Sequence, residues 1–167
     1  VVGKKFALPA YQLLGGLVRE RVPIAHSLGL MEIDKAVDEA MQAKAEGVKT
    51  IKLKGGVEQK RDIELVRRIR EAIGPELNIC VDANQGYPTA KAAVKITRAM
   101  EEYNLLYMEQ PVEGINEMTE VTRRLDTPIM ADESAWTPQD VIEIVQKKAA
   151  DMISIYTTKP GGMFKAK

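Results

Sequence analysis

Two hydrophobic patterns alternate along the chain. Short apolar runs, rich in β-branched residues, are separated by stretches whose apolar residues recur with the spacing of an amphipathic helix. The apolar runs predict six strands, at residues 22–27, 50–54, 78–84, 105–110, 128–133 and 151–157. The intervening stretches predict one helix in each of the five gaps, and the helix at residues 116–125 is expected to be the shortest and weakest.

Strands that alternate with helices are typical of a parallel sheet. The predicted strands follow one another at intervals of roughly 23 to 29 residues, which is one βα unit each. Both a doubly wound sheet and a (β/α)8 barrel have this spacing. Polar residues stand at the carboxyl end of almost every predicted strand, where barrel enzymes gather their catalytic groups. The pattern therefore favours the barrel.

The chain is shorter than a complete barrel. A (β/α)8 barrel takes about 250 residues, whereas this chain has 167. We therefore expect an α/β fold of the (β/α)8 TIM type that contains about the first six βα units, at residues 22–167, after an entry segment at residues 1–21. Open parallel edges pair with other chains, so we also expect a homo-oligomer.

Charge and cysteine content narrow the class of protein. Lysine plus arginine and aspartate plus glutamate number 24 each, so the net charge is zero and offers no electrostatic case for nucleic acid or an anionic membrane. The single cysteine, Cys80, cannot form an internal disulfide, which favours a reducing, cytoplasmic setting. The chain has no secretory leader pattern and no apolar run near 18 residues, so we expect neither export nor a membrane span.

Charged residues stand at four strand ends where a buried parallel strand should be apolar. The segments are KLKGG at residues 52–56, DANQG at 82–86, EQP at 109–111 and ADES at 131–134. Residues two apart on a strand point to the same side, so Lys52 and Lys54 share one face. A solvated pair of edge lysines is the simpler alternative, but Ile51 and Leu53 indicate a buried strand.

Three carboxylates come from consecutive predicted strands at the same end of the sheet: Asp82, Glu109 and Asp132. Converging carboxylates repel one another unless a cation lies among them. A ligand set of oxygens, without histidine or cysteine, suits a hard ion, Mg²⁺ first and Mn²⁺ second. Asp82 or Asp132 alone would be equally typical of a helix N-cap, so the metal prediction depends on the trio.

The lysine pair suggests proton abstraction. Free lysine has a pKa near 10.4 and is a poor base at neutral pH, but a neighbouring ammonium, a metal ion and burial all favour the neutral amine. A proton next to a carboxylate is so weakly acidic that the enediolate must also be stabilised as it forms. A metal ion bound to the carboxylate oxygens provides that stabilisation.

The order KxK, DxNQ, EQP and ADES, with one motif at each strand end, resembles the mandelate racemase and muconate lactonizing branch of the enolase superfamily. The opening segment, residues 3–16, also resembles the part of that branch that enters the barrel, so the resemblance covers essentially the whole chain. It implies a magnesium-dependent enzyme, with manganese as an alternative, that removes the proton α to the carboxylate of a small substrate through an enediolate.

The resemblance assigns roles to the residues at the strand ends. Lys54 would be the base, and Lys52 would contact the substrate carboxylate and lower the pKa of that base. Asp82, Glu109 and Asp132 would be the metal ligands.

Further roles follow from the same resemblance. Asn84 would orient groups beside the metal, Ser27 aligns with a contact to the substrate carboxylate, and Glu133 would support the metal ligands from outside the first ligand shell. On the sixth strand the family's muconate-lactonizing subgroup has a second catalytic lysine, three residues before another lysine. Counting back from Lys159 places Tyr156 there; if the register slips, Lys159 takes the position instead.

The tyrosine influences which reaction is expected. Racemisation needs an acceptor and a donor on opposite faces of the enediolate, and a phenol with a pKa near 10 is a poor base. Loss of a hydroxyl needs only one lysine, acting first as base and then as acid. We therefore expect a dehydratase of a hydroxylated carboxylic acid, such as a sugar acid or hydroxy-amino acid. A racemase, epimerase or cycloisomerase of the same superfamily is the alternative.

Two other classes stay open. The pairs Gly55-Gly56 and Gly161-Gly162 would suit phosphate binding at helix starts, as in a phosphate-binding barrel. A chain with six of eight barrel strands would also be a non-catalytic, self-associating fragment, which magnesium-dependent turnover by the isolated chain would exclude. The resemblance further implies a capping domain before Val1 and two more strands after Lys167.

Overall fold

A computed structural model describes residues 1–167 in full. Its helices and strands follow in the order α1 (Val2–Phe6), α2 (Ala10–Leu13), β1 (Ala25–Leu28), α3 (Ile33–Ala45), β2 (Thr50–Lys54), α4 (Gln59–Ile73), β3 (Asn78–Asp82), α5 (Ala90–Glu101), β4 (Leu105–Glu109), α6 (Ile115–Thr122), β5 (Ile129–Ala131), α7 (Pro138–Lys147), β6 (Met152–Ile153) and α8 (Met163–Ala166). None of these helices is long and apolar enough to cross a membrane.

The chain divides into two compact units. One comprises Ile24–Ile155 and contains all six strands and the five helices between them. The other combines Val1–Pro23 with Tyr156–Lys167 and contains the short helices α1, α2 and α8.

The six strands form one sheet in the order β1-β2-β3-β4-β5-β6, and every neighbouring pair is parallel. In a doubly wound sheet the strand order reverses at a switch point, whereas a barrel adds its strands in sequence order. The observed order is therefore that of six consecutive βα units of a barrel. The predicted fold class is confirmed, and the doubly wound alternative is wrong.

The core lies between one face of the sheet and helices α3 to α7. Alternate strand residues such as Ile51, Leu53, Ile79, Val81 and Ile129 are buried against these helices, and each helix packs against the next. Burial of one such side chain stabilises the folded state by about 1.5–3 kcal/mol relative to leaving it exposed. Because side chains alternate along a strand, the residues between these apolar positions face the other side of the sheet.

Capping residues fix where the helices begin after the strand ends. The α7 helix starts with Pro138 and is preceded by Thr137, whose hydroxyl accepts a hydrogen bond from the backbone N–H of Asp140, while the Asp140 carboxylate accepts one from the N–H of Thr137. The α5 helix begins after Thr89, which accepts from the N–H of Ala92. These capped helix starts fix the ends of the loops after β3 and β5, which carry two of the polar motifs.

Three strands are much shorter than predicted, namely the edge strands β1 and β6 and the interior strand β5, which covers only Ile129–Ala131 of the predicted 128–133. Strand β1 begins at Ala25 rather than at residue 22, and Pro23, which precedes it, has no N–H to donate to a ladder. Strand β6 covers only Met152–Ile153 of the predicted 151–157 because it pairs on one side alone, with the three-residue β5. Interior strand β2 matches its predicted bounds, Thr50–Lys54.

Candidate active site

The ends of β2, β3 and β4 bring three predicted site residues into register. Lys54 is the cross-strand partner of Asp82, and Asp82 is the partner of Glu109. Neighbouring strands lie about 4.8 Å apart, so these side chains stand side by side on the sheet face away from the helices. Ser27 on β1 is the partner of Lys52, which places it on that same face.

Lys52 forms the centre of a buried ion-pair network. Its Nζ lies 3.0 Å from Oδ2 of Asp82 and 2.6 Å from Oε2 of Glu109. Burial acts to lower the pKa of Lys52, but the hydrogen bonds and charges of Glu109 and Asp82 outweigh burial and raise it well above its ordinary range. Lys52 is therefore better suited to supply positive charge than to accept a proton.

Lys54 is the more accessible lysine, with about a third (32%) of its side chain exposed. Its Nζ lies 2.7 Å from Oδ2 of Asp82 and 2.7 Å from Oδ1 of Asn84. The amide of Asn84 in turn donates to Oε1 of Glu133, 2.9 Å away, in the loop after β5. A continuous series of side-chain hydrogen bonds thus links Lys54 to Glu133 across the carboxyl ends of the strands.

The three carboxylates predicted to hold a metal are all buried. Burial raises the pKa of Glu109, the hydrogen bond from Lys52 opposes this, and the negative charges of Asp82 and Asp132 raise it further. The charges of Asp82 and Asp132 are therefore close enough to act on the Glu109 carboxyl. The second oxygen of Glu109, Oε1, is buried and has no hydrogen-bond partner.

These groups fit a hard divalent ion in their chemistry but do not form a metal site in their present arrangement. No group of three histidine, cysteine, aspartate or glutamate side chains is placed to hold a metal ion. The Lys52 ammonium instead lies between Asp82 and Glu109 and supplies positive charge there. The unpartnered oxygen of Glu109 and the oxygen-only donors agree with Mg²⁺ as the ion that Asp82, Glu109 and Asp132 would hold.

Two predicted residues lie outside the strand-bearing unit. Strand β6 ends at Ile153, and Tyr156 and Lys159 belong to the unit made of Val1–Pro23 and Tyr156–Lys167. There the Nζ of Lys159 lies 4.5 Å from the centre of the Tyr156 ring, a cation–π contact. Which of the two takes the sixth-strand position stays a prediction.

The sequence interpretation gave no role to Gln110, although this buried amide organises the metal-ligand loop. Its Oε1 accepts hydrogen bonds from the backbone N–H groups of Asp132, at 2.9 Å, and Ser134, at 3.1 Å. Its Nε2 donates to the carbonyl of Val112, at 2.9 Å, and to the hydroxyl of Ser134, at 2.7 Å. The available signal was an uncharged amide directly between Glu109 and a proline.

Replacement of this amide should destabilise the fold. In Gln110→Glu the donor to the Val112 carbonyl becomes an oxygen inside a buried site, so we expect a loss of about 1–3 kcal/mol in the free energy of unfolding, measured by urea denaturation. Gln139→Glu is the matched control, because Gln139 is exposed in the first turn of α7, where an acid is mildly favourable. Equal stability of the two variants would contradict the role of Gln110.

Comparison with known proteins decides the family. Residues 35–167 match the family model described as "Enolase C-terminal domain-like". The chain belongs to the enolase superfamily. The resemblance inferred from the four strand-end motifs is thereby confirmed, and the chain represents barrel sequence of the mandelate racemase and muconate lactonizing branch.

Several relatives in the enolase superfamily span the chain. It is 31% identical to the N-succinyl-L-Arg/Lys racemase of Bacillus cereus, over 99% of this chain and 46% of that protein. It is 38% identical to the hydrophobic dipeptide epimerase of Enterococcus faecalis, over 99% of this chain and 47% of that protein. The arabinonate dehydratase of Saccharolobus solfataricus is 31% identical, over 98% and 45%.

A solved structure supports the same relationship. The crystal structure of the E. faecalis dipeptide epimerase, complexed with Mg and the dipeptide L-Leu-L-Tyr, matches with a TM-score of 0.93 at 38% identity, over 99% of this chain and 47% of that one. The chain therefore spans about half the length of the curated relatives it matches.

Proposed function

We propose that the complete protein is a racemase or epimerase that removes the proton α to the carboxylate of an amino-acid derivative, such as a dipeptide or an N-acylated amino acid. The observation that carries this proposal is the placement of Lys54, which is partly exposed and hydrogen-bonded to Asp82 and Asn84 beside three buried carboxylates. The names of the B. cereus and E. faecalis relatives supply the substrate class.

We prefer a racemase or epimerase, which was the alternative in the sequence analysis, to the dehydratase predicted there. The dehydratase was favoured because a tyrosine replaces a lysine on the sixth strand. The similarity to a racemase and to dipeptide epimerases gives more support to inversion at the α-carbon than that single residue gives to loss of water. A dehydratase is also among the relatives, so the reaction has to be tested directly.

In the proposed mechanism Lys54, as the neutral amine, accepts the α-proton of the substrate. Asn84 and Asp82 orient its Nζ from 2.7 Å each. Lys52 supplies positive charge beside the site, where it would stabilise the negative charge that develops on the substrate carboxylate. Asp82, Glu109 and Asp132 would hold Mg²⁺, which when bound supplies Lewis-acid stabilisation of the enediolate.

Inversion requires a second group that returns a proton to the opposite face. Lys159 and Tyr156 are the two proposals for this role. An amine works in both directions when its pKa is lowered, whereas a phenol donates more readily than it accepts. An epimerase that runs well both ways therefore favours Lys159, and Lys159→Ala compared with Tyr156→Phe would separate the two assignments by the loss of inversion in one of them.

The reaction is tested by incubating the complete protein in deuterated water with dipeptides, N-succinyl amino acids and sugar acids. We expect deuterium at the α-carbon of a dipeptide or N-succinyl amino acid, together with inversion and without a dehydrated product, as followed by proton NMR and chiral chromatography. A 2-keto product without inversion would contradict the epimerase proposal and restore the dehydratase.

A further inference from the structure

A buried carboxylate outside the site described so far ties two of its loops together. Asp62 lies in the first turn of α4, where acids are usually exposed, but it is only 1% exposed. Its Oδ2 accepts hydrogen bonds from the backbone N–H of Gly56, at 2.8 Å, and from the hydroxyl of Tyr87, at 3.2 Å. Arg61 pairs weakly with its other oxygen, at 3.5 Å. A carboxylate is tolerated in such a place only when it is hydrogen-bonded in this way.

The two loops joined by Asp62 are also in direct backbone contact. Gly56 belongs to the loop after β2, and Gly86 to the loop after β3. A methyl group on Gly56 would overlap the carbonyl oxygen of Ala83, and one on Gly86 would overlap the carbonyl oxygen of Gly56. Gly56 also has a φ of +80°, which disfavours any other residue there. The two loops therefore pack too closely to admit a side chain at Gly56 or Gly86.

These loops carry the base and its hydrogen-bond partner. Lys54 stands immediately before the first loop, and Asn84 lies inside the second, with 2.7 Å between Nζ of Lys54 and Oδ1 of Asn84. The backbone adds one further link, from the N–H of Gly55 to the carbonyl of Asp82 at 2.9 Å. The bonds of Asp62 to Gly56 and Tyr87 thus hold both partners from behind the site.

We propose that Asp62 and Tyr87 are positioning residues that fix the placement of Lys54 relative to Asn84. This inference rests on the proposed function, because it assigns the effect to the proton transfer by Lys54. The hydrogen bonds of Asp62 and Tyr87 described above go to Gly56 and to each other, and none goes to the carboxylate of Asp82, Glu109 or Asp132. Their loss should therefore lower kcat, which depends on the placement of the base, more than it raises KM.

The test compares four variants of the complete protein. In Asp62→Ala, kcat for α-proton exchange should fall about 100-fold, since a displacement near 1 Å costs about that factor, while KM stays within about 3-fold. Asp62→Asn should recover kcat to within about 10-fold of wild type, because an amide oxygen in the place of Oδ2 can accept from both the Gly56 N–H and the Tyr87 hydroxyl. Asp34→Ala is the matched control: Asp34 lies in the first turn of α3 with its side chain 84% exposed.

Tyr87→Phe removes a single hydroxyl and keeps the test decisive if Asp62→Ala does not fold. It should lower kcat by about 10-fold, at an unchanged circular dichroism spectrum, through loss of one of the bonds that position Lys54. Wild-type kcat in folded Asp62→Ala, or in Tyr87→Phe when Asp62→Ala does not fold, would overturn the proposal.

A crystal structure of the same variant separates this proposal from the proposed function. In Asp62→Ala, or in Tyr87→Phe if that is the folded variant, Nζ of Lys54 should move beyond about 3.5 Å from Oδ1 of Asn84, the limit for a hydrogen bond. An intact bond would overturn the positioning role. If the wild-type protein exchanges no α-proton of any carboxylate, the proposed function fails, and the crystal structure alone still decides whether Asp62 and Tyr87 position Lys54.

Discussion

Substitution of Lys54 by alanine should lower the rate of α-proton exchange at least about 1,000-fold, within the 10²–10⁴ range typical of a general base. The neighbouring amine of Lys52 is held between Asp82 and Glu109 at 3.0 and 2.6 Å, and the hydrogen bonds of these carboxylates raise its pKa, so it is poorly suited to replace Lys54 as a base. Lys54→Arg should be nearly as inactive, since arginine stays protonated at all relevant pH values. Deuterium incorporation into the substrate, followed by NMR, measures the rate.

Lys95→Ala is the control for loss of a lysine, because Lys95 is exposed on α5. It should exchange the α-proton at the wild-type rate. Exchange at the wild-type rate in either Lys54 variant would remove Lys54 from the mechanism. Loss of exchange together with loss of the folded state would instead show a structural role, so thermal unfolding is recorded for each variant.

The bounds of the interior strand β2 could be predicted from the sequence because two features specify them. Strand β2 matches residues 50–54 since Ile51 and Leu53 are buried on one face, and the strand pairs with a neighbour on each side. The edge strands lack the second neighbour. An apolar run predicted β6 to reach residue 157, but pairing with β5 alone supports only Met152–Ile153.

The site could be predicted in outline because strand ends of a parallel sheet meet at one edge. This placed Lys54, Asp82 and Glu109 together, and their register agrees with it. The partners of buried polar groups could not be predicted, since they come from distant loops. Gln110 and Asp62 therefore received no role, although Asp62 stands on the buried face of α4, where an isolated acid is unexpected.

For Lys52, too, the side-chain contacts could not be predicted from the sequence pattern. Spacing placed it on the face of Lys54, and the resemblance made it a contact for the substrate carboxylate. The structure adds that its ammonium bridges Asp82 and Glu109, two residues proposed to bind the metal. Only coordinates reveal that Lys52 contacts two carboxylates that are also proposed to bind the metal, because the contact depends on how far the side chain reaches across two neighbouring strands.

Substitution of Glu109 by glutamine should abolish most magnesium-dependent activity. Glu109 is a buried carboxylate, and its Oε1 has no partner in the protein. The neutral amide would weaken Mg²⁺ binding, and removal of one electrostatic stabiliser of a developing oxyanion typically costs about 10²–10³ in kcat. Isothermal titration with Mg²⁺ and the rate of α-proton exchange measure the two effects separately.

Glu113→Gln is the matched control, because Glu113 is an exposed acid four residues farther along the chain. It should bind Mg²⁺ and exchange the α-proton as the wild type does. Treatment of the wild-type protein with a chelator should remove activity, and added Mg²⁺ or Mn²⁺ should restore it, since both ions accept oxygen ligands. Unchanged Mg²⁺ affinity in folded Glu109→Gln would show that this carboxylate serves Lys52 rather than a metal, because its 2.6 Å contact with that lysine would then be its principal interaction.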